Sequence, residues 1–264
     1  MGYVVFHMEK ARGSDSAMTA HIERTSHPKN ADESRTHLNR TLIEYPEGVK
    51  DRTAAIQHRL EHAGLKRKIG SNQVRAIRIN LSGSPEDMAR IEAAGQLDAW
   101  CTDSLQYLFD TFGRENIVSA HLHMDEKTPH IHATLVPIVR EARTRRKKED
   151  QVKRHYRKKS TDTPRLCADD IMTRGKLKSY QDGYAKAMSH HGLQRGIDGS
   201  EARHISTQQY YRDLKKQSHE LQEDITQLQA DKAVADEALR QSKREVQVER
   251  LKGSAVTAAT QITD

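Results

Sequence analysis

Twelve consecutive residues, His121-Leu-His-Met-Asp-Glu-Lys-Thr-Pro-His-Ile-His132, bring together four imidazoles and two carboxylates. Their flanks, Asn116-Ile-Val-Ser before and Ala133-Thr-Leu-Val-Pro137 after, are β-branched and apolar, which predicts two strands joined by a short polar connection. Side chains two apart in a strand point the same way, so His130 and His132 share a face and Ile131 takes the other. If the two strands pair, His123 converges on them, with Glu126 close by. Neutral imidazole and carboxylate oxygen suit a borderline divalent ion such as Mn²⁺, Zn²⁺, Fe²⁺ or Ni²⁺, and three protein ligands leave positions open for substrate. Such a site serves chemistry rather than stapling a fold; the plain alternative is a cluster of partly solvated surface histidines. His121 shares a face with His123 and competes with it as a ligand, but His123 adjoins the Asp125-Glu126 pair. A second constellation is His21 and Arg24, three apart on a short helix expected from Ser16 to Thr25, hence neighbours on one face. An imidazole beside a guanidinium can be a nucleophile, a phosphate contact or an ordinary surface histidine.

The pattern His-x-Asp-Glu-x-x-Pro-His-x-His, filled by His123, Asp125, Glu126, Pro129, His130 and His132, resembles the metal motif of the HUH endonucleases. In particular it is similar to that of the Mob/Pre (MobV-type) plasmid mobilisation relaxases. His21-Ile-Glu-Arg24 resembles their N-terminal His-x-x-Arg motif, and Ser34-Arg-Thr-His-Leu-Asn39 resembles their Ser-Arg-x-His-Leu-Asn segment. Gln194-Arg-Gly followed by Ser200-Glu-Ala-Arg-His204 resembles the segment that closes their catalytic region. The resemblance spans roughly residues 1–205. One departure matters: where many relatives continue with a tyrosine and an acid, this chain has Arg40 and Thr41. A tyrosine nucleophile is therefore missing at position 40, although Tyr45 lies five residues on, and His21 is the better candidate.

The resemblance implies an α+β fold, an antiparallel sheet with helices packed on one face and the metal histidines on central strands. It implies a catalytic set of His21, Arg24 and Glu126 and a metal set of His123, His130 and His132, holding Mn²⁺ or Mg²⁺. Glu126 could orient His21 or a ligand, take a proton, or bind the ion. The implied function is site- and strand-specific nicking and rejoining of origin-of-transfer DNA, single-stranded or extruded, through a 5′-phosphohistidine. Two rival readings are a metal phosphodiesterase that activates water and a non-catalytic DNA-binding dimer.

The rest of the chain sets bounds on these readings. It has 264 residues, a formal net charge of +7 and only 5% aromatics, which favours a modest core and a polyanionic partner. Two cysteines make no disulfide framework, no apolar run approaches the ~20 residues of a membrane span, and no signal-peptide pattern opens the chain, so a bacterial cytoplasmic location is expected. Tyr3–Met8 reads as a first, central strand, residues 51–72 as polar helix with breaks at Gly64 and Gly70, and Val74–Leu81 as a strand bearing Arg75 and Arg78. Ser84 should cap a helix, whole or in two pieces, reaching Phe112, and Thr173–Gly192 another. Trp100 and Phe112 belong to the core-facing stripe of the helix that Ser84 opens. Eleven Lys/Arg against three acids between Arg140 and Lys159 make a basic loop suited to phosphate neutralisation. Candidate DNA contacts are Arg35, His37, Asn39, Arg75, Arg78, Lys147 and Lys148. Positions seven apart form an a/d register (Tyr211, Ser218, Ile225, Lys232, Leu239, Val246; Leu214, Leu221, Leu228, Ala235, Ser242) that predicts a long helix over 207–251; with several of these sites polar, it pairs weakly in a homodimeric coiled coil or folds back in cis. The expected organisation is thus a catalytic domain 1–205, a helical extension 206–252 and a flexible tail 253–264.

Overall fold

In the computed structural model, residues 2–11, 15–26, 28–140, 163–196 and 207–260 are described. The chain divides into two compact units, residues 1–198 and 199–264. The first is built on strand β1 (Gly2–Lys10), helix α1 (Ser16–Ile22), β2 (Arg40–Thr41), α2 (Arg52–Glu61), β3 (Ile77–Gly83), α3 (Pro85–Ala93) and α4 (Leu97–Phe112). It continues with β4 (Ile117–His123), β5 (His130–Leu135), β6 (Ile138–Val139), β7 (Arg165–Leu166), α5 (Ala168–Ile171), α6 (Arg174–Ala187) and β8 (Leu193–Gln194). The six-stranded sheet runs β2-β4-β5-β3-β1-β8, antiparallel except where β8 joins β1 in parallel. β5 is central, whereas β1, expected to be central, lies one strand from the edge because only the two-residue β8 follows it.

Strand alternation sorts the sheet into an oily face and a chemical face. Met8, Ile79, Leu81, Leu122, Ile131, Ala133 and Leu135 are buried in the main core with Met88, Ile91, Trp100, Leu108, Tyr184 and Met188 of α3, α4 and the end of α6. The register sets His121 opposite His132 and His123 opposite His130, with Asn80 across from His132 on the other side. The residues between the core-facing ones therefore form a row of polar groups on the opposite face. A smaller cluster joins Ile56 and Leu60 of α2 to Ala76, Val136, Ile138 and Leu166.

Several elements are shorter than the sequence predicts, and each has a local cause. α1 ends at Ile22, not Thr25, because Arg24 takes a left-handed φ of 55°. Asp15, not Ser16, stands at its N-cap position, and without a side-chain cap bond. Asp51 caps α2 by accepting from the Ala54 N–H at 2.7 Å, and the helix stops well before residue 72, ahead of Gly64 at φ 67°. The third strand begins at Ile77 rather than Val74. Gly95, also at φ 67°, separates α3 from α4, and Ser84 spends its hydroxyl on the Tyr3 N–H rather than on its own helix. α6 ends at Ala187, and a 3-10 turn, Ser189–His191, carries the chain to Gly192. In the second unit α7 (Thr207–Thr260) is one long helix that passes Gly253, and Leu221, Ile225, Leu228 and Leu239 along it are exposed. Among the described residues no helix is long and apolar enough to cross a membrane.

Candidate functional site

β4 and β5 deliver the histidines, and the Met124–Pro129 connection between them delivers the acids. The His130 and His132 rings lie 4.7 Å apart, and each is within 5.2 Å of the His123 ring. The Nε2 atoms of His130 and His132 are 3.1 Å apart, close to the ligand–ligand edge of about 3.3 Å expected around an ion with ~2 Å bonds. Nδ1 of His130 faces the Thr128 carbonyl at 2.9 Å, which fixes its proton there and leaves the Nε2 lone pair directed inward. Burial lowers the pKa of both rings, His132 well below its usual value, so both lone pairs are available at neutral pH. His123 faces the Ile22 carbonyl with Nε2 at 2.8 Å and Arg24 with Nδ1 at 2.9 Å. Arginine only donates, so Nδ1 is the accepting nitrogen, and it sits 3.8 Å from Glu126 Oε1. Two overlapping trios have donor atoms close enough for a divalent ion, His21 with His123 and His132, and His123 with Glu126 and His130, each set within 4.8 Å; they share His123 and divide His130 from His132.

α1 lays His21 over this cluster, its ring 5.9 Å from His123 and 5.5 Å from His132. Burial, followed by the adjacent Arg24 cation, lowers the His21 pKa to about 4, so the imidazole is neutral at pH 7. The position of His21 is fixed by Arg24, the residue that ends α1. Its guanidinium grips Asp125 with two bonds (2.8 and 2.7 Å), Glu126 Oε1 at 2.8 Å and the His21 carbonyl at 2.8 Å. Glu126 reaches Asn30 Nδ2 at 2.8 Å with its other oxygen and lies 3.9 Å from His21 Nε2. Burial alone would raise the Glu126 pKa; His123 and Arg24 outweigh it and hold the carboxyl at about 2. Asp125 is buried too, yet Arg24, Asn39 and Thr36 hold it far below the usual carboxylate range.

The 3-10 turn Glu33–Leu38 and its C-cap Asn39 wrap around Asp125. Asn39 donates to Asp125 at 2.7 Å and accepts from the Met124 N–H at 2.6 Å, and Thr36 donates to Asp125 at 3.1 Å. Of the residues expected to meet DNA, Asn39 is thus occupied in holding the acid loop. Arg35 is 3.7 Å from Glu92, His37 is exposed, Arg75 is exposed, and Arg78 faces Glu9 at 3.3 Å and Asp15 at 3.9 Å. Lys147, Lys148 and the basic loop beyond Arg140 lie outside the described residues, as does the 200–204 motif. His121 turns away from the cluster: its Nε2 is 3.1 Å from the Tyr45 hydroxyl, which donates to Glu23 at 2.7 Å. Burial and Glu23 raise the Tyr45 pKa.

The sequence reading missed Arg52, which is fully buried. It bonds Thr134 of β5 at 2.6 Å, Thr19 of α1 at 3.1 Å and Asp15 at 2.7 Å, and so pins α1 to the histidine face. An arginine following a good N-cap gives no sign of burial. Asn30 was missed as well, with no motif to mark it.

The family of plasmid recombination enzymes (Mob/Pre) matches residues 1–212. A 65 kDa protein of Zymomonas mobilis is 31% identical over 81% of this chain, and a plasmid recombination enzyme of Bacillus thuringiensis is 27% identical over 86%. The chain spans 33% and 45% of those two relatives, about a third to a half of their length. Among solved structures, a MobM relaxase domain, Mn-bound and in complex with plasmid pMV158 oriT DNA, superposes with a TM-score of 0.64 at 24% identity. That match covers 80% of this chain and 99% of the domain. A second structure of that domain, on thiophosphate-ended oriT DNA, gives 0.63 at 25% identity, covering 80% and 98%. The histidine face, the αL arginine and the acid loop all fall inside the matched residues, and the chain belongs to the Mob/Pre family of plasmid recombination enzymes.

Proposed function

We propose that this chain is a relaxase: a metal-dependent, site- and strand-specific DNA nicking and rejoining enzyme acting at a plasmid origin of transfer, with residues 1–205 as its catalytic region. The observation that carries the proposal is a neutral His21, held by Arg24 over three converging imidazoles.

His130, His132 and, once its Nδ1 is released by Arg24, His123 would hold a divalent ion, Mn²⁺ or Mg²⁺, which when bound polarises the non-bridging phosphate oxygens. His21 attacks phosphorus: a P–N bond forms as the P–O3′ bond breaks. The proton shed by the imidazole is balanced by the one taken up at the 3′ oxygen, giving a 5′-phosphohistidine and a free 3′-hydroxyl. Reversal by a 3′-hydroxyl rejoins the strand. Glu126, ionised and 3.9 Å from His21 Nε2, is placed to receive that proton. Arg24 offsets charge that builds on the phosphate. Tyr45 is a poor nucleophile because its hydroxyl donates to Glu23 and its pKa is raised. Arg35, His37, Arg75, Lys147 and Lys148 are proposed to follow the DNA backbone, Arg78 after releasing its acids, and α7 to pair with a second copy.

The test is a labelled origin-bearing oligonucleotide incubated with the protein and Mn²⁺, beside His21→Ala and an EDTA control. An acid-labile protein–DNA adduct that needs metal and disappears in His21→Ala is expected. Cleavage without an adduct would point to an activated-water nuclease instead.

A further inference from the structure

On the helical side of the sheet, away from the histidine face, a second set of ligating side chains meets at one point. Asp103 rises from the middle of α4, and His190 and His191 sit in the 3-10 turn that follows α6. Both imidazoles aim Nε2 at the same carboxylate oxygen, Asp103 Oδ2, each at 2.8 Å. Their rings stack loosely, 4.0 Å apart at 41°. The three donor atoms all lie within 4.8 Å of one another.

We propose that Asp103, His190 and His191 form a second divalent transition-metal site, of the zinc class, that clamps α4 to the corner between α6 and β8. Two imidazoles and one carboxylate are a borderline donor set, suited to Zn²⁺, Co²⁺ or Ni²⁺ rather than to Mg²⁺ or Ca²⁺. Ligand atoms around a tetrahedral ion with ~2.1 Å bonds stand about 3.4 Å apart, so the present spacing opens by roughly half an ångström on loading. The turn that presents the rings is already fixed. His191 N–H donates to Met188 and Gly192 N–H to Ser189, both at 3.0 Å, and Arg90 donates to the His191 carbonyl at 2.8 Å. The charge of Arg90 is offset by Asp87 at 3.0 Å. One ligand is anchored and one side is open: the His191 side chain is 4% exposed, while His190 is 61% and Asp103 39% exposed. An ion can enter from that side and complete its shell with water. Two neighbouring imidazoles converging on one carboxylate oxygen also hydrogen-bond it without metal, and the experiment separates these states.

The 264-residue chain would be dialysed against Zn²⁺, desalted, and its zinc counted, in wild type, His190→Ala, His132→Ala and the double variant. Because His190 is exposed, truncating it leaves the fold intact, which origin nicking and far-UV circular dichroism check. The expected result is one zinc lost in His190→Ala but kept in His132→Ala, with nicking by His190→Ala unchanged. In the His132→Ala background, zinc should also raise the melting temperature, and His190→Ala should remove that rise. Equal zinc content in wild type and His190→Ala, or no zinc retained by His132→Ala, would overturn the site and leave the three residues as a hydrogen-bonded corner.

Discussion

Replacing Arg24 by alanine isolates the contribution of one guanidinium. The Arg24 side chain is 6% exposed and that of Asp125 is fully buried, so the variant leaves a carboxylate with no solvent and no counter-charge. Breaking a buried ion pair from one side costs roughly 3–5 kcal/mol. Asp125 keeps its bonds from Asn39 and Thr36, which places the expected loss near the lower end, about 3 kcal/mol. For a unit of this size that is about 6–12 °C in melting temperature. The assay is urea unfolding in EDTA, followed by the fluorescence of Trp100. This is the single tryptophan of the chain, and it lies in the core against the sheet, so α7 does not contribute. The pH dependence carries a second check. The Asp125 pKa is depressed in the folded state, so its stabilisation is present above the unfolded value of about 3.9 and is lost as pH falls below it. Wild type and Arg24→Ala should therefore converge in stability between pH 5 and about pH 2. A difference below about 1 kcal/mol at pH 7, typical of an exposed pair, or one that stays constant down to acid pH, would refute the buried-pair reasoning.

His21→Ala should lower nicking by on the order of 10³-fold or more while leaving oligonucleotide binding in a mobility-shift assay within a few-fold. With the His21 pKa at about 4, the neutral form persists across neutral pH, and the single-turnover nicking rate should stay flat from pH 8 to about 5.5, then halve near pH 4. A half-point near 6.5 would show that the ring is not buried as described. Arg52→Leu leaves Asp15 with only the more distant Arg78, 3.9 Å away, and unpins α1; it should destabilise by about 3 kcal/mol in urea titrations and reduce nicking. His121→Ala should leave Mn²⁺ affinity by calorimetry within about threefold, because its Nε2 is engaged by Tyr45, whereas His132→Ala should abolish high-affinity binding.

Strand periodicity made the histidine face legible in advance. The alternation from His121 to His132 placed four imidazoles on one side of two strands, and the observed register puts them there. Periodicity did not tell His121 from His123, since both point the same way; Tyr45, far off in sequence, turns His121 aside. Nor could it show that Asn39 and Thr36 close over Asp125, because a polar residue on a loop looks the same whether it faces DNA or folds inward. Helix ends were overextended for a similar reason. Gly64 was visible as a break, but the left-handed Arg24 was not, since nothing in an arginine announces positive φ.

That backbone outlier connects the fold to the chemistry. A non-glycine residue in the left-handed region costs of order 1–3 kcal/mol and persists only where its surroundings over-determine it. Here the surroundings are two buried or half-buried carboxylates, a histidine ring and the carbonyl of His21. Continuing α1 helically through position 24 would send the guanidinium in another direction and release the acid loop. Turning the chain at Arg24 instead lets one side chain tie the last turn of the helix that carries His21 to the loop between the two histidine strands. The same charge that fixes Asp125 adds to burial in keeping His21 unprotonated, so Arg24 bears on both the position and the protonation state of the imidazole. It follows that Arg24→Lys, which keeps the charge but loses the planar fork, should preserve the low His21 pKa better than it preserves nicking. Separate readouts, ¹⁵N-histidine NMR for the pKa and single-turnover kinetics for the rate, would show the two functions parting; equal loss of both would mean that charge alone sets the site.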